Sequence, residues 1–479
     1  MARRFKRFIL LLADGTRPDV MAEELALGNL PHIARHLIEP GGMVPAVTSF
    51  PSTTGPAYIP LLTGCWPGTA NVPGIRWLDR DRFANRSLSL RRNRSYIGPQ
   101  SCLMPGDLAK GVTTLFEIVP GSYNVFNIVN RGIAPRRNWG GIKRLLYWYY
   151  AHLTDHWYLA DWRAGRFLKK LAGTDFQFAF IVFPGVDEYS HLIGPHSSRT
   201  RLAYRDLDRA VGEAARELDR HGRLDETCFM IVSDHGLSAT TRHFPLNQFL
   251  ERQGLKTFYY PKIFRPGCQA AGMVSGNAMG HVYLAKPEGW RERWSDEELL
   301  RHDLRLTERF VEEEGVDLVL TQALDGEVVV RSRRGEARIR PQGSNGTATL
   351  SYTVKGNDPF GYGPLPRTLT LSQVLELTYG TDYPDGIVQV MQLFRSRRTG
   401  DIVLSAAPGH DLRLRHEVPE HKGSHGSLHK DHMLIPFVSN APIGPGPVRS
   451  ADVFPTLLDM AGLPIPLQID GRSHARHED

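Results

Sequence analysis

Six short runs of the chain are apolar almost without interruption: Phe8 to Ala13, Tyr123 to Val129, Phe176 to Phe183, Thr227 to Val232, Ile402 to Ala406 and Met433 to Val438. A strand covered on one face alternates in polarity and a strand covered on both does not, so these runs predict buried parallel strands. Between many of them the period becomes helical. From Arg201 to His221, Leu202, Leu207, Ala210, Val211, Ala214 and Leu218 recur near helical spacing, and Gly222 follows as a stop. Strands alternating with helices predict an α/β fold with a mostly parallel central sheet flanked by helices. Ligands of such sheets gather outside the carboxyl ends of the strands.

The pattern changes between about Phe258 and Thr399. Glu327 to Ile339 and Thr347 to Val354 are β-rich and polar, with turn signals at Asp325-Gly326 and Ser344-Asn345-Gly346, and Glu297 to Glu314 reads as a charged helix. This predicts an inserted α+β lobe, residues 258–399, within a main domain formed by 1–257 and 400–479. A second unusual stretch, Arg136 to Lys170, interleaves Trp139, Tyr147, Trp148, Tyr149, Tyr150, Trp157, Tyr158 and Trp162 with basic residues. Aromatic residues at mixed spacing usually fill a core beneath a long loop, so that reading ranks above contact with a membrane surface.

Composition narrows the class. A chain of 479 residues, 41% hydrophobic and 23% charged, buries a large core and is neither fibrous nor disordered. No run of 18 apolar residues occurs, which predicts no membrane-spanning helix. The opening MARRFKRFILLLAD imitates a signal peptide, but its apolar run stops at Asp14 and reads as a buried strand. Cys65, Cys102, Cys228 and Cys268 lie far apart, so reduced thiols and a cytoplasmic setting are expected. The net charge of +7, read as diffuse, fits anionic small-molecule substrates loosely and gives no reason to expect a nucleic-acid partner.

The residues that carry chemistry stand after the apolar runs. Asp14 follows the first, and Asp187, with His191 four residues later, follows the run ending at Phe183. Asp234-His235-Gly236 follows Val232, and His425 stands in Ser424-His425-Gly426 before the last run. A single Asp after a strand is usually a capping residue. Three carboxylates and three imidazoles at converging strand ends instead suit divalent metals, and two-metal sites suit in-line displacement at phosphorus. A nucleophile is offered by Thr54, placed before Gly55-Pro56, where a helix is predicted to open with Thr54 as its cap. Thr53 is its rival one position earlier. His429 and His432 compete with His425, and His32, His36, His410, His416 and His421 have no partner spacing and read as ordinary histidines. Cys65-Trp66-Pro67-Gly68-Thr69 imitates a sulfatase motif but has Thr69 in place of the arginine.

Taken together these motifs resemble the alkaline phosphatase superfamily, and within it the type I phosphodiesterase/nucleotide pyrophosphatase family. Thr54 stands nine residues before Thr63-Gly64, as that family's nucleophile does. Asp187, His191, Gly194 and Pro195 match its Asp-x-x-x-His-x-x-Gly-Pro motif, and Asp452 to Leu458 with Asp470 to Ser473 match its C-terminal signature. The resemblance implies an alkaline phosphatase-like fold and a hydrolase of phosphodiester or pyrophosphate bonds acting through a phospho-threonine. It implies two divalent ions, one on Asp187, His191 and His425, the other on Asp14, Asp234, His235 and Thr54. Zinc is the metal it implies; oxygen and nitrogen ligands alone also permit manganese. The family's asparagine for a phosphoryl oxygen is absent, since Pro73-Gly74-Ile75 leads to Arg76, Trp77 and Leu78. Arg76 or the Gly55 N–H is expected to replace it, with Trp77 among the apolar surfaces near the substrate. The alternative is a phosphomonoesterase, phosphonate hydrolase or phosphosugar-directed enzyme using the same site.

Overall fold

The structure, a computed structural model, describes residues 5–85, 92–141, 143–343, 349–413 and 420–476. The turn at Ser344-Asn345-Gly346 and His416 lie outside the described residues. An eight-stranded sheet forms the centre, in the order Val448–Arg449, Gly42–Val47, Leu434–Ser439, Thr227–Val232, Arg7–Ala13, Phe178–Phe183, Ser122–Val125, Asn138–Trp139. Arg7–Ala13 pairs in parallel with Thr227–Val232 on one side and Phe178–Phe183 on the other. From Phe8 to Ala13 it is buried at every residue, which is why its sequence does not alternate. The helix predicted at 201–221 spans Ser198–Arg220, with Ser197 accepting the Thr200 N–H as its cap. The fold is therefore α/β, with a mostly parallel sheet flanked by helices.

Two of the six apolar runs depart from expectation. Leu434–Ser439 runs antiparallel to both Thr227–Val232 and Gly42–Val47, so it enters the sheet at the end where its neighbours finish. Ile402–Ala406 belongs to a second, nine-stranded sheet, where it pairs antiparallel with Met279–Leu284 and Val316–Gln322. An unbroken apolar run reports burial on both faces and carries no information on strand direction or sheet membership.

The second sheet takes its strands from Thr257–Phe258 through Ile402–Ala406, and its hairpin Ala270–Ser275/Met279–Leu284 reaches the loop that carries His425. At its turn, Ala278 N–H donates to the His425 carbonyl at 2.9 Å, and Asn277 bridges His425. The charged segment expected as one helix is two, Asp296–Arg301 and Leu306–Glu312, separated by Arg305 at φ +46°. The aromatic stretch forms two helices, Lys143–Thr154 and Tyr158–Leu171. Trp157 is buried, but Leu146, Tyr149, Tyr150, Leu153, Tyr158 and Trp162 are exposed, so core filling accounts for only part of it.

Candidate active site

The candidate ligands meet at one edge of the main sheet. Asp14 follows Ala13 directly, and its N–H donates to the Phe183 carbonyl at 3.0 Å. Asp234 stands two residues beyond Val232. The two loops are tied together, because Thr16 N–H donates to Ser233 Oγ at 2.9 Å and Gly15 N–H to Asp234 Oδ1 at 3.4 Å. Asp187 and His191 lie one turn apart on the helix Gly185–Ile193, on a shared face. His425 reaches the same edge because the strand after it, Leu434–Ser439, runs antiparallel; a parallel strand would have begun at the opposite edge.

The three imidazoles are oriented alike. Nδ1 faces a backbone carbonyl in each: Gly423 for His191 at 2.7 Å, Gly236 for His235 at 3.0 Å, and Ser52 for His425 at 2.9 Å. A carbonyl only accepts, so each Nδ1 carries the proton and each Nε2 keeps a free lone pair. Those Nε2 atoms point at the carboxylates. His191 Nε2 is 3.4 Å from Asp187 Oδ1, and His235 Nε2 is 3.2 Å from Asp234 Oδ2 and 3.5 Å from Asp14 Oδ1. His425 Nε2 is 3.9 Å from Asp187 Oδ1. Asp187 Oδ1 and Asp234 Oδ2 are buried without a hydrogen-bond partner.

Among the described residues two groups could each hold a metal ion: Asp14, Asp234 and His235, and Asp187, His425 and His235. The first matches one expected set. The second differs, with His235 standing between the groups and His191 flanking Asp187. Electrostatics point the same way. Burial, aided by mutual repulsion, pushes Asp187 and Asp234 well above the usual carboxylate range. Burial raises Asp14 to about 6 against hydrogen bonds from Tyr58 and neighbours that pull it down. Burial lowers His191 to about 4 and His235 and His425 well below ordinary imidazole. Neutral imidazoles with free lone pairs beside crowded, unpartnered carboxylates are a donor set that divalent cations fit.

Thr54 faces this cluster. Its hydroxyl is 3.5 Å from Asp14 Oδ1 and 3.3 Å from His235 Nε2. Thr53 Oγ1 is buried with no partner. The expected capping role for Thr54 is not seen: the helix begins at Tyr58 with Ala57 at its cap. Gly55 takes φ +92°, a conformation no helix contains, and so delays the start. The Thr63-Gly64 pair has a structural use. Gly64 ends the helix at φ +66°, its carbonyl accepts from the Asp470 and Gly471 N–H groups, and Phe454 packs where its side chain would be. The C-terminal signature thus braces the helix behind Thr54.

A cleft of about 340 Å³ opens over the site, lined in part by Thr54, Ile75, Ile97, Ile128, Arg144, Trp148, Tyr149, Asp187, Glu188, Asn277, His421 and His425. Arg76 and Trp77 are not among its walls. Their strand, Arg76–Leu78, pairs with Asn93–Ser95, which turns Arg76 toward Tyr260 and a separate cavity. Trp77 is wholly buried, with the Arg94 and Arg398 guanidinium groups over its ring. Sequence reasoning missed the roles of three residues: Tyr58 reads there only as an apolar surface near the nucleophile and His421 as an ordinary histidine, and Arg144 is not singled out. Tyr58 donates to Asp14 Oδ2 at 2.6 Å, His421 lies 4.4 Å from the His191 ring, and Arg144 enters the cleft from the aromatic helix. The adjacent Trp148 and the helical spacing were the available signal for Arg144. His432, by contrast, is held between Ser427 and Ser238, and Cys65 is buried away from the cleft.

A family model described as type I phosphodiesterase / nucleotide pyrophosphatase matches residues 8–428, and the chain belongs to that family. It is by class a phosphoric ester hydrolase. Among solved structures, murine ectonucleotide pyrophosphatase / phosphodiesterase 5 is similar at 12% identity, covering 97% of both chains with a TM-score of 0.57. The same mouse protein, inactive and in complex with AMP, is equally similar. Phosphonoacetate hydrolase from Sinorhizobium meliloti 1021, in complex with phosphonoacetate, is similar at 15% identity, covering 94% of both chains with a TM-score of 0.57. No curated protein matches the sequence.

Proposed function

We propose that this protein hydrolyses phosphodiester or pyrophosphate bonds of small molecules by two successive displacements, with Thr54 as the nucleophile. The observation that carries the reading is the Thr54 hydroxyl within 3.5 Å of both Asp14 and His235, beside three Nε2 lone pairs and three crowded carboxylates. Asp14, Asp234 and His235 would hold one divalent ion, and Asp187 and His425, with His191 alongside, a second. When bound, such ions offset the carboxylate charge and stabilise charge on the attacking and leaving oxygens. Zinc suits these donors, and manganese is an acceptable substitute.

In the first displacement the Thr54 hydroxyl gives up its proton to solvent as the Oγ–P bond forms, and the bond from phosphorus to the leaving oxygen breaks, that oxygen departing as an alcohol once protonated or as part of a phosphate. In the second, water attacks the same phosphorus, the Thr54 Oγ–P bond breaks with a proton returned to Oγ, and the phosphoryl group leaves with its retained substituent as a monoester. Tyr58 fixes Asp14 through its 2.6 Å hydrogen bond, and the Gly423, Gly236 and Ser52 carbonyls fix the three rings. The cleft favours a diester: Ile75, Ile97, Ile128, Trp148 and Tyr149 offer an apolar seat for a second substituent. Arg76, the group that would have favoured a monoester dianion, lies elsewhere.

One observation supports a second reading. Arg144 places a cation on the cleft wall, its Nη2 donating to Ser101 Oγ at 2.7 Å. It would pair with an anion on the substituent, as in a pyrophosphate or a carboxylate-bearing phosphonate. Matched aryl diesters, nucleoside pyrophosphates, monoesters and phosphonates assayed with one preparation test the choice. Higher kcat/KM for diesters and pyrophosphates is expected; a clear monoester or phosphonate preference overturns it.

A further inference from the structure

The helix pair Lys143–Thr154 and Tyr158–Leu171 has an outer face that the core leaves open and that the cleft uses only at Tyr149. On the first helix Leu146, Tyr149, Tyr150 and Leu153 follow the i, i+3, i+4, i+7 spacing of one stripe, and all four are exposed, Leu153 at 85% and Leu146 at 70%. On the second, Tyr158 and Trp162 are exposed one turn apart, and the same row continues into Arg166 and Lys169. A shallow groove lined by Leu146, Tyr147, Tyr150, Leu159, Ala160 and Trp162 joins the two stripes. Six large apolar side chains on one continuous face exceed the scattered exposure usual for a globular surface.

The charge around this face says what covers it. Residues 136–170 hold eight Lys and Arg against two acidic residues, a balance of +6 in a chain whose whole balance is +7. The excess is therefore gathered here rather than diffuse. Of the two acids, Asp161 is buried against the Gly185 N–H, and Asp155 lies in the turn between the helices. Arg136, Lys143, Arg166, Lys169 and Lys170 are exposed, and among the described residues only Lys169 of these meets a carboxylate, Glu213 at 4.0 Å. The Arg166 guanidinium lies over the Trp162 ring, joining charge to apolar surface in one contact. An apolar stripe of aromatic residues and leucine rimmed by cations, all but Lys169 without a carboxylate partner among the described residues, complements an anionic lipid surface, where rings reach the headgroup level and cations meet phosphates. A second copy of this chain would bring the same positive charge against itself.

We infer that the helix pair 143–171 is a docking face for an anionic lipid bilayer. The protein lies on the surface without crossing it, consistent with no described helix being long and apolar enough to span a membrane. The cleft mouth is held near that surface, since Tyr149 belongs to both the outer stripe and the cleft wall. This inference does not depend on which ester the cleft hydrolyses.

The test is co-sedimentation of the full chain with vesicles of phosphatidylcholine alone or with one-third phosphatidylglycerol, at low and at high salt. Binding to the anionic vesicles, weakened by salt, is expected, with a blue shift of tryptophan emission that disappears in Trp162→Ser. The pair Leu153→Ser with Trp162→Ser should lose binding, and Arg166→Glu with Lys170→Glu should weaken it about 30-fold or more. All four changes should leave hydrolysis of a soluble ester unchanged, which shows that the variants fold. Absence of binding at low salt, or equal binding to neutral and anionic vesicles, overturns the inference. So does a concentration-dependent dimer abolished by Leu153→Ser with Trp162→Ser, which would assign the face to a second copy.

Discussion

Gly15 lies so close to Asp187 that a Cβ on the glycine would stand 2.7 Å from both Cα and Cβ of the aspartate. Gly15 also takes φ +68°, which disfavours any side chain there. The loop after one strand and the helix after its neighbour thus meet at van der Waals limit, and that approach sets where the Asp187 carboxylate points. Gly15→Ala is expected to displace Asp187 and weaken metal binding about ten- to hundredfold while the chain still folds. Isothermal titration with zinc and circular dichroism check this; unchanged metal affinity would separate the packing from the site.

Thr54→Ala is expected to lower turnover about 10³- to 10⁴-fold with metal content unchanged, because the hydroxyl supplies the covalent step and little of the core. Thr54→Ser should keep part of the activity. Mass spectrometry after quenching should find the substrate's phosphoryl group, still carrying its retained substituent, on Thr54; finding it on Thr53 would transfer the role.

Metal analysis of protein prepared without added metal should find two divalent ions per chain. Chelation should abolish turnover and zinc or manganese restore it. Asp234→Asn and His191→Ala should each lower occupancy. Full turnover in metal-free protein would overturn the two-ion reading.

Arg144→Ala is expected to reduce kcat/KM for substrates with an anionic substituent about ten- to hundredfold, the value of a charge-assisted hydrogen bond, and to spare neutral diesters. Arg76→Ala should leave both unchanged, since Arg76 borders another cavity. Steady-state kinetics on the matched pair distinguish the two residues.

The second sheet has its own anchor in Asp401, which is fully buried. Its carboxylate accepts from Arg80 Nη2 at 2.8 Å, Trp294 N–H at 2.8 Å and Leu284 N–H at 2.7 Å. Asp401→Ala leaves the buried Arg80 without its partner and is expected to cost about 3–5 kcal/mol of stability. Urea unfolding measures the loss.

The sequence by itself determined the burial of the central strands, because a residue covered on both faces must be apolar whatever surrounds it. It also determined the chemistry available: Asp14, Thr54, Asp187, His191, Asp234, His235 and His425 stand beside strand ends or tight turns, and the structure brings them together. Tertiary structure decided direction and neighbourhood. Whether Leu434–Ser439 ran parallel or antiparallel was invisible in its composition, yet that direction delivers His425 to the site. Arg76 is three residues from Pro73 and close to Thr54 in sequence, but pairing with Asn93–Ser95 carries it away. Arg144, ninety residues from Thr54, is carried in by a helix. Periodicity reports how much of a residue is covered, and only the packing of distant segments reports what covers it. The exposed stripe of helix 143–154 has the spacing of a buried one, and among the described residues no element packs over it.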